Sequence, residues 1–178
     1  DGTKLMLFLL KHGADPGIRS RCGHTPLTLA IENGCSAYAL NLLADGDADA
    51  NQLGPRGESP LLICCSHKPG FEAKTLACNL ITWDADINFR SPARGWTPLH
   101  EVVERSDLRL LNFLLCCGAD LNVATTGDLE TPLHRACYNC DNRVIPVLLD
   151  SQGARVDVQD ATGQTPLHLE FGRSKHTQ

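Results

Sequence analysis

Aromatic side chains are scarce in this chain: five Phe, two Tyr and two Trp make up 5% of its 178 residues. Any core must therefore be built from Leu, Ala, Val, Ile and Cys, and an apolar share of 42% is ample for one. Long apolar runs are missing too. No stretch approaches the roughly 18 continuous apolar residues of a membrane span, so no membrane is expected. Positive charge is short as well: 16 Lys and Arg stand against 21 Asp and Glu, a formal net charge of −5 with neutral histidines. That balance supplies no overall drive toward nucleic acid or an anionic surface. Catalytic signatures are also wanting. The chain has no Gly-rich phosphate loop, no Gly-x-Ser-x-Gly elbow and no His-Glu-x-x-His run. Glu101 and Glu104, three apart, read as a solvated helix face rather than an acid–base pair. Neither an enzyme nor a cofactor is expected.

Cysteine is the exception, at nine copies. Two pairs are adjacent (Cys64 with Cys65, Cys116 with Cys117), and neighbours in regular structure rarely bridge. Most of the others lie among Leu, Ala and Val, where a free thiol packs as a small hydrophobe. The expectation is a reduced, intracellular protein, cytoplasmic or nuclear. No Lys or Arg sits immediately beside either pair to lower a thiol pKa. His134, Cys137 and Cys140, at three-residue steps, could offer three zinc ligands on one helix face. No fourth ligand has suitable spacing, so no metal is expected. The N-terminus, Asp1-Gly2-Thr3-Lys4-Leu5, runs straight into an apolar helical pattern without an initiator Met. It reads as a fragment of a larger protein, for which a missing leader peptide says little about targeting.

An internal period organises the chain. Thr25-Pro26-Leu27-Thr28 recurs as Ser59-Pro60-Leu61-Leu62, Thr97-Pro98-Leu99-His100, Thr131-Pro132-Leu133-His134 and Thr165-Pro166-Leu167-His168, at steps of 34, 38, 34 and 34 residues. A second signal keeps step: Gly13-Ala14-Asp15, Asp47-Ala48-Asp49, Asp84-Ala85-Asp86, Gly118-Ala119-Asp120 and Gly153-Ala154-Arg155. Thr or Ser before Pro is a helix start: the hydroxyl caps a free N–H, and Pro takes the first helical position, where its missing donor costs nothing. Apolar residues at helical spacing follow, as in Leu99, Val102 and Val103. After a polar turn such as Arg105-Ser106-Asp107 comes a second apolar helix (Tyr38 to Leu43, Leu108 to Leu115, Val144 to Leu149). The Gly-Ala-Asp stretch ends that helix and opens an extended connector. Pro146 falls in the first turn of its helix if Asn142 is the cap, where N–H groups are unpaired anyway.

Helix, turn, helix and hairpin at about 33 residues with Thr-Pro-Leu-His resembles the ankyrin repeat. The resemblance runs from about Thr3 to Gly172. It implies an all-α fold, a solenoid of stacked helix-turn-helix units with β-hairpin-like connectors. Residues 1–178 then form a single domain: a partial leading repeat (1–19), repeats at 20–53, 54–91, 92–125 and 126–159, and a partial trailing repeat (160–178). The second carries about four extra residues around His67-Lys68-Pro69-Gly70-Phe71-Glu72, which should lengthen its inter-helix turn. The connectors before Thr97 and Thr131 each hold one extra residue, Leu129 stands where the family prefers Gly, and Thr28 and Leu62 replace the motif histidine. That histidine, His134 among the copies, hydrogen-bonds near the helix start in the family.

Stacked units make one continuous core and no closed pocket, so the fold suits binding better than convergent catalysis. Arrays of this family mostly act as interaction modules, read out by connector tips and first helices. The expected function is a protein–protein interaction scaffold or substrate adaptor. Arg19, Arg21, His24, Arg56, Arg90 and Arg94 all lie in the first three connectors, with Glu58 the one acid at the tips, while Asp128 and Glu130 reverse the sign in the fourth. That edge would steer a partner with an acidic segment. The expected contact set is Arg19, Arg21, His24, Arg56, Arg94, Trp96, Glu104, Arg105, Tyr138 and Asn139, with Trp and Tyr of the type enriched at hot spots; the alternative for Trp96 is to fold back over Phe89 or its neighbours. The alternative is recognition of a nucleotide or short RNA, Trp96 stacking on a base while arginines meet phosphates; the acidic balance speaks against nucleic acid. Asn51, Asn88 and Asn122 occupy the connector position that is hydroxylated in some ankyrin proteins, each with Leu eight residues earlier (Leu43, Leu80, Leu114). The plainer role of this Asn is to stabilise the turn. The whole reads as a monomeric array within a larger protein.

Overall fold

The computed structural model describes residues 2–66 and 71–172. They form ten helices and no strand: α1 (Gly2–Lys11), α2 (Pro26–Glu32), α3 (Ser36–Asp45), α4 (Pro60–Ser66), α5 (Phe71–Thr82), α6 (Pro98–Glu104), α7 (Leu108–Cys116), α8 (Pro132–Tyr138), α9 (Val144–Asp150) and α10 (Pro166–Gly172). The all-α repeat architecture expected from the sequence is the one observed. Two compact units divide the chain, residues 1–86 and 87–178. In the first, α2 packs against α3 and α4, α3 against α1 and α5, and α4 against α5. In the second, α6 packs against α7 and α8, and α8 against α9 and α10. The expected longer turn at 67–72 lies, for residues 67–70, outside the described residues.

Each short first helix is set by its start. Thr25 Oγ1 accepts the Thr28 N–H at 3.1 Å, and Thr28 Oγ1 accepts the Thr25 N–H at 2.9 Å. Thr28 thus closes with its hydroxyl the capping box that histidine closes elsewhere. Leu62 cannot do this, and there only the half-box remains, Ser59 Oγ accepting the Leu62 N–H at 3.2 Å. In the second unit His100 and His134 each accept a backbone N–H at Nδ1, from Thr97 and Thr131, both at 3.2 Å. Their Nε2 atoms then carry the proton and donate to Glu130 O and Gln164 O, again at 3.2 Å. Each motif histidine therefore joins its own helix start to the next connector.

Helix ends are equally regular. Asp84 takes the left-handed conformation (φ 64) and its N–H reaches Ile81 O at 3.0 Å, while the Ala85 N–H reaches Leu80 O at 2.9 Å. This is the six-to-one, five-to-two bonding pattern that satisfies the last carbonyls. Gly13, Gly118 and Gly153 occupy the same place in their copies, also with positive φ. A backbone bond crosses the base of each connector: Ser20 N to His24 O, Gly54 N to Glu58 O, Ser91 N to Trp96 O, Thr125 N to Glu130 O and Asp160 N to Gln164 O, all at 2.8–2.9 Å. The third and fourth span one residue more, which is where the two extra residues went. Pro146 does fall in the first turn of α9, but the cap differs from expectation. Asp141, not Asn142, accepts the free N–H groups of Arg143 and Val144, at 3.0 and 3.3 Å. Arg143, the residue just before the helix, makes no side-chain cap bond, so the Asp141 carboxylate covers its N–H and the first N–H of the helix.

Burial follows the apolar periodicity. Leu61 to Cys65 of α4 are all buried, as are Leu99, Val102 and Val103 of α6 and Leu110, Leu111 and Leu114 of α7. At about 1.5–3 kcal/mol per buried Leu, Val or Ile side chain, these rows hold the helix pairs together, since seven-residue helices would not persist alone.

Candidate functional site

The second unit gathers the charged and aromatic side chains around Trp96. The backbone bond from Ser91 N to Trp96 O and the Trp96 N–H to Ser91 Oγ bond of 3.1 Å set the residue at the connector's end, two residues before α6. Its ring lies 6.2 Å from the His100 imidazole at 29°, with the Arg94 and Arg135 guanidinium carbons 5.3 and 5.2 Å from the indole centroid. Arg135, on α8, also lies 5.1 Å from the Tyr138 ring. Its Nε and Nη2 donate to Glu104 Oε2 and Oε1 at 2.7 and 3.2 Å, and Nη1 donates to Glu130 Oε2 at 3.5 Å. Asn139 Nδ2 adds a 2.8 Å bond to Glu104 Oε2. Burial alone would raise the Glu104 pKa. The hydrogen bonds from Arg135 and Asn139, with the charges of Arg135 and Arg94, outweigh it and hold the carboxyl below its ordinary value. Arg135 is raised in turn, chiefly by its hydrogen bond to Glu104.

The cluster changes the part each residue plays. The sequence reads Trp96 as a contact residue at a connector tip; the ring is only 8% exposed. Arg94, Arg135 and His100 occupy its surroundings, so it serves as a platform that fixes two guanidinium groups by cation–π contact. Glu104 is spent on Arg135, and Asn139 on Glu104. The residues that face outward are Arg94, Arg105 and Tyr138, the last 42% exposed. Arg135 itself and Glu130 complete the cluster and were not among the expected contacts. A signal exists: the 34-residue period aligns Arg135 with Glu101, and one helical turn on from Glu101 is Glu104, a diagonal neighbour of opposite charge.

In the first unit the basic connector residues behave unequally. Arg56 pairs with Glu58 at 3.1 Å, so the one acid at the tips answers one of the arginines. His24 Nδ1 lies 3.3 Å from Glu32 Oε2, at an angle that makes no hydrogen bond. Arg19 donates to Gly23 O at 3.3 Å. Arg19 and Arg21 are exposed, and among the described residues neither pairs with an acid. In the second unit Arg90 donates to the carbonyl of Ala124.

The asparagines do more than shape a turn. Asn51 Nδ2 donates to Asp84 O and its Oδ1 accepts the Asp86 N–H, both at 2.8 Å. Asn122 does the same with Gly153 O and the Arg155 N–H, both at 2.9 Å, and Asn88 Oδ1 accepts the Asp120 N–H at 2.8 Å. Each is a staple to the following copy, made to backbone that every sequence offers.

The chemical lures have structural explanations. Both ring nitrogens of His134 are engaged, Cys137 is buried and Cys140 is exposed on a left-handed turn residue (φ 52). Among the described residues no three His, Cys, Asp or Glu side chains are placed to hold a metal ion. Burial pushes the Cys64 thiol up to about 12, far from a reactive thiolate. No described helix is long and apolar enough to cross a membrane.

The family model described as Ankyrin repeats (3 copies) matches residues 1–91 and 99–170. Rabankyrin-5 of Mus musculus is 29% identical over 159 residues, 83% of this chain and 13% of that protein. The transient receptor potential channel pyrexia of Drosophila melanogaster is 35% identical over 133 residues, 73% of this chain and 13% of its own length. Palmitoyltransferase AKR1 of Lachancea kluyveri is 26% identical over 163 residues, 79% of this chain and 21% of that protein. The chain thus spans a small fraction of each of these relatives.

Proposed function

Because the chain belongs to the ankyrin-repeat family, whose repeats are in general protein-interaction modules rather than catalysts, we propose that it is a scaffold or substrate-adaptor segment that docks a partner protein on its connector tips and first helices. The observation that carries this is the Arg94–Trp96–Arg135–Tyr138 cluster. A buried indole and two carboxylates hold it rigid, while Arg94, Arg105 and Tyr138 present a preformed polar and aromatic surface of the kind that anchors interfaces. Arg19, Arg21, His24 and Arg56 supply the first unit's share of contacts to an acidic stretch. The test is quantitative affinity capture by the full-length protein, wild type against an Arg94→Ala, Tyr138→Ala double variant. Partners that fall at least tenfold support the reading; an unchanged capture profile removes it. Trp96→Ala is the poorer probe, since losing a buried ring disturbs the fold as well.

A reducing cytoplasmic or nuclear setting fits nine unbridged cysteines, and a monomeric array inside a longer chain fits the small share of each relative that is covered. The nucleotide or RNA reading is weaker than the sequence suggests, because the indole meant to stack on a base is already covered. Absence of oligonucleotide binding at about 50 mM salt, where phosphate contacts are strongest, would dispose of it. Hydroxylation of Asn51, Asn88 or Asn122 would appear as one-oxygen steps in intact mass.

A further inference from the structure

Resting on that interaction reading, we propose that the cleft beside Trp96 is a subsite for an extended partner segment carrying a carboxylate and, two residues away, a cation. The cleft has a volume of about 280 Å³, and its walls include Arg94, Trp96, Arg135, Thr126, Asp128 and Glu130. Four of these are charged. Arg135 and Glu130 answer each other, and Arg135 also binds Glu104. Arg94 and Asp128 remain: they line one cleft, yet among the described residues neither makes a salt bridge with the other or with any further group, although the charge of Arg94 also acts at longer range on Glu104.

Neither residue hangs loose. The Arg94 carbonyl accepts the Thr126 N–H at 3.1 Å, and its guanidinium rests 5.3 Å from the centroid of a buried ring. The Asp128 carbonyl accepts the Ala161 N–H at 2.8 Å. A planar fork held on an aromatic platform is pre-organised for a carboxylate, which a lysine in its place would not be. Room exists beside it, since a Cβ added at Gly127 would meet nothing within 4 Å. A partner bearing only acids would be drawn to Arg94 and repelled by Asp128, and one bearing only cations the reverse. A segment with both signs satisfies both. In an extended chain residues i and i+2 point to the same side, about 6.6 Å apart, so a Glu-Xaa-Lys pattern presents both charges to one cleft and orients the segment.

The experiment titrates the isotope-labelled chain with the acetylated, amidated peptide Gly-Gly-Glu-Ala-Lys-Gly-Gly, following the Arg94 Nε–H and Trp96 indole N–H signals. Forms with Gln for Glu or for Lys serve as comparators. Both signals should shift, and each Gln peptide should bind about threefold to tenfold more weakly. Arg94→Ala should become indifferent to the Glu-to-Gln change and Asp128→Asn to the Lys-to-Gln change, with Arg94→Lys intermediate. Silent Arg94 and Trp96 signals, or peptide and protein changes that simply add, would overturn the subsite. Shifts gathered instead at Arg105 and Tyr138, or in residues 2–66, would sink it while leaving the interaction reading intact; only the capture experiment above decides that.

Discussion

Acid should weaken this fold through His100, and the effect can be worked out atom by atom. The imidazole is fully buried, with Nδ1 accepting the Thr97 N–H and Nε2–H donating to Glu130 O. A second proton has only Nδ1 to go to, where it would displace the Thr97 N–H bond and leave the Thr97 hydroxyl, 2.9 Å away, as its acceptor. Burial first, and then the positive charges of Arg90 and Arg135, disfavour the imidazolium against the help of the Glu130 carbonyl. The pKa falls from 6.5 to about 4. The unfolded chain therefore takes up a proton that the folded chain refuses, and stability drops as pH falls from 6.5 toward 4. It is unaffected above that window and constant below it. At about 1.4 kcal/mol per pH unit the gap amounts to about 3 kcal/mol. Urea unfolding of the wild type from pH 7.5 to 4, set against His100→Gln, isolates this share. Direct NMR titration of the His100 ring is the sharper check. A midpoint near 6.5 in the folded protein, or identical pH slopes for the two proteins, would refute the reasoning.

Four further outcomes are expected. Asn122→Ala, which loses the bonds to Gly153 O and Arg155 N, should cost about 1–2 kcal/mol in chemical denaturation, and Asn51→Ala a similar amount. Leu129, half exposed at φ 54, should gain about 0.5–1 kcal/mol on replacement by Asn, which tolerates that conformation; a loss would mean the side chain packs usefully after all. Brief alkylation of the native protein followed by peptide mass mapping should modify the exposed Cys22, Cys78, Cys116, Cys117 and Cys140 and spare the buried Cys64 and Cys65. Because its folded pKa lies below 4.5, Glu104 stabilises the fold above that pH and loses its share as pH falls through the lowered value; Glu104→Gln should shallow the acid limb of the stability curve.

The repeat was legible because its motifs are backbone instructions. Thr-Pro sets a helix start, and Gly or Asp in the left-handed conformation sets a helix end, whatever surrounds them. Even the extra residues before Thr97 and Thr131 could be placed in the connectors. The surroundings of Trp96 were not legible in this way. Its burial is made by Arg135 and His100 arriving from two helices, and tip position alone reads as exposure. Asn122 was half legible: its place in the turn is local, but its partners at Gly153 and Arg155 lie a full period away. The choice of Asp141 over Asn142 as a cap was missed because both side chains suit the role and only geometry separates them.

The bond from each motif imidazole to the following connector has a bearing on how this protein comes apart. His134 relies on the carbonyl of Gln164, and His100 on that of Glu130. Loosening the residues around Gln164 deprives α8 of one tie at its start, and the Asn122 tether to Gly153 and Arg155 slackens with it. Opening around Gln164 should therefore loosen the start of α8, and opening around Glu130 the start of α6, so amide exchange at each helix start should quicken together with that of the connector it is tied to.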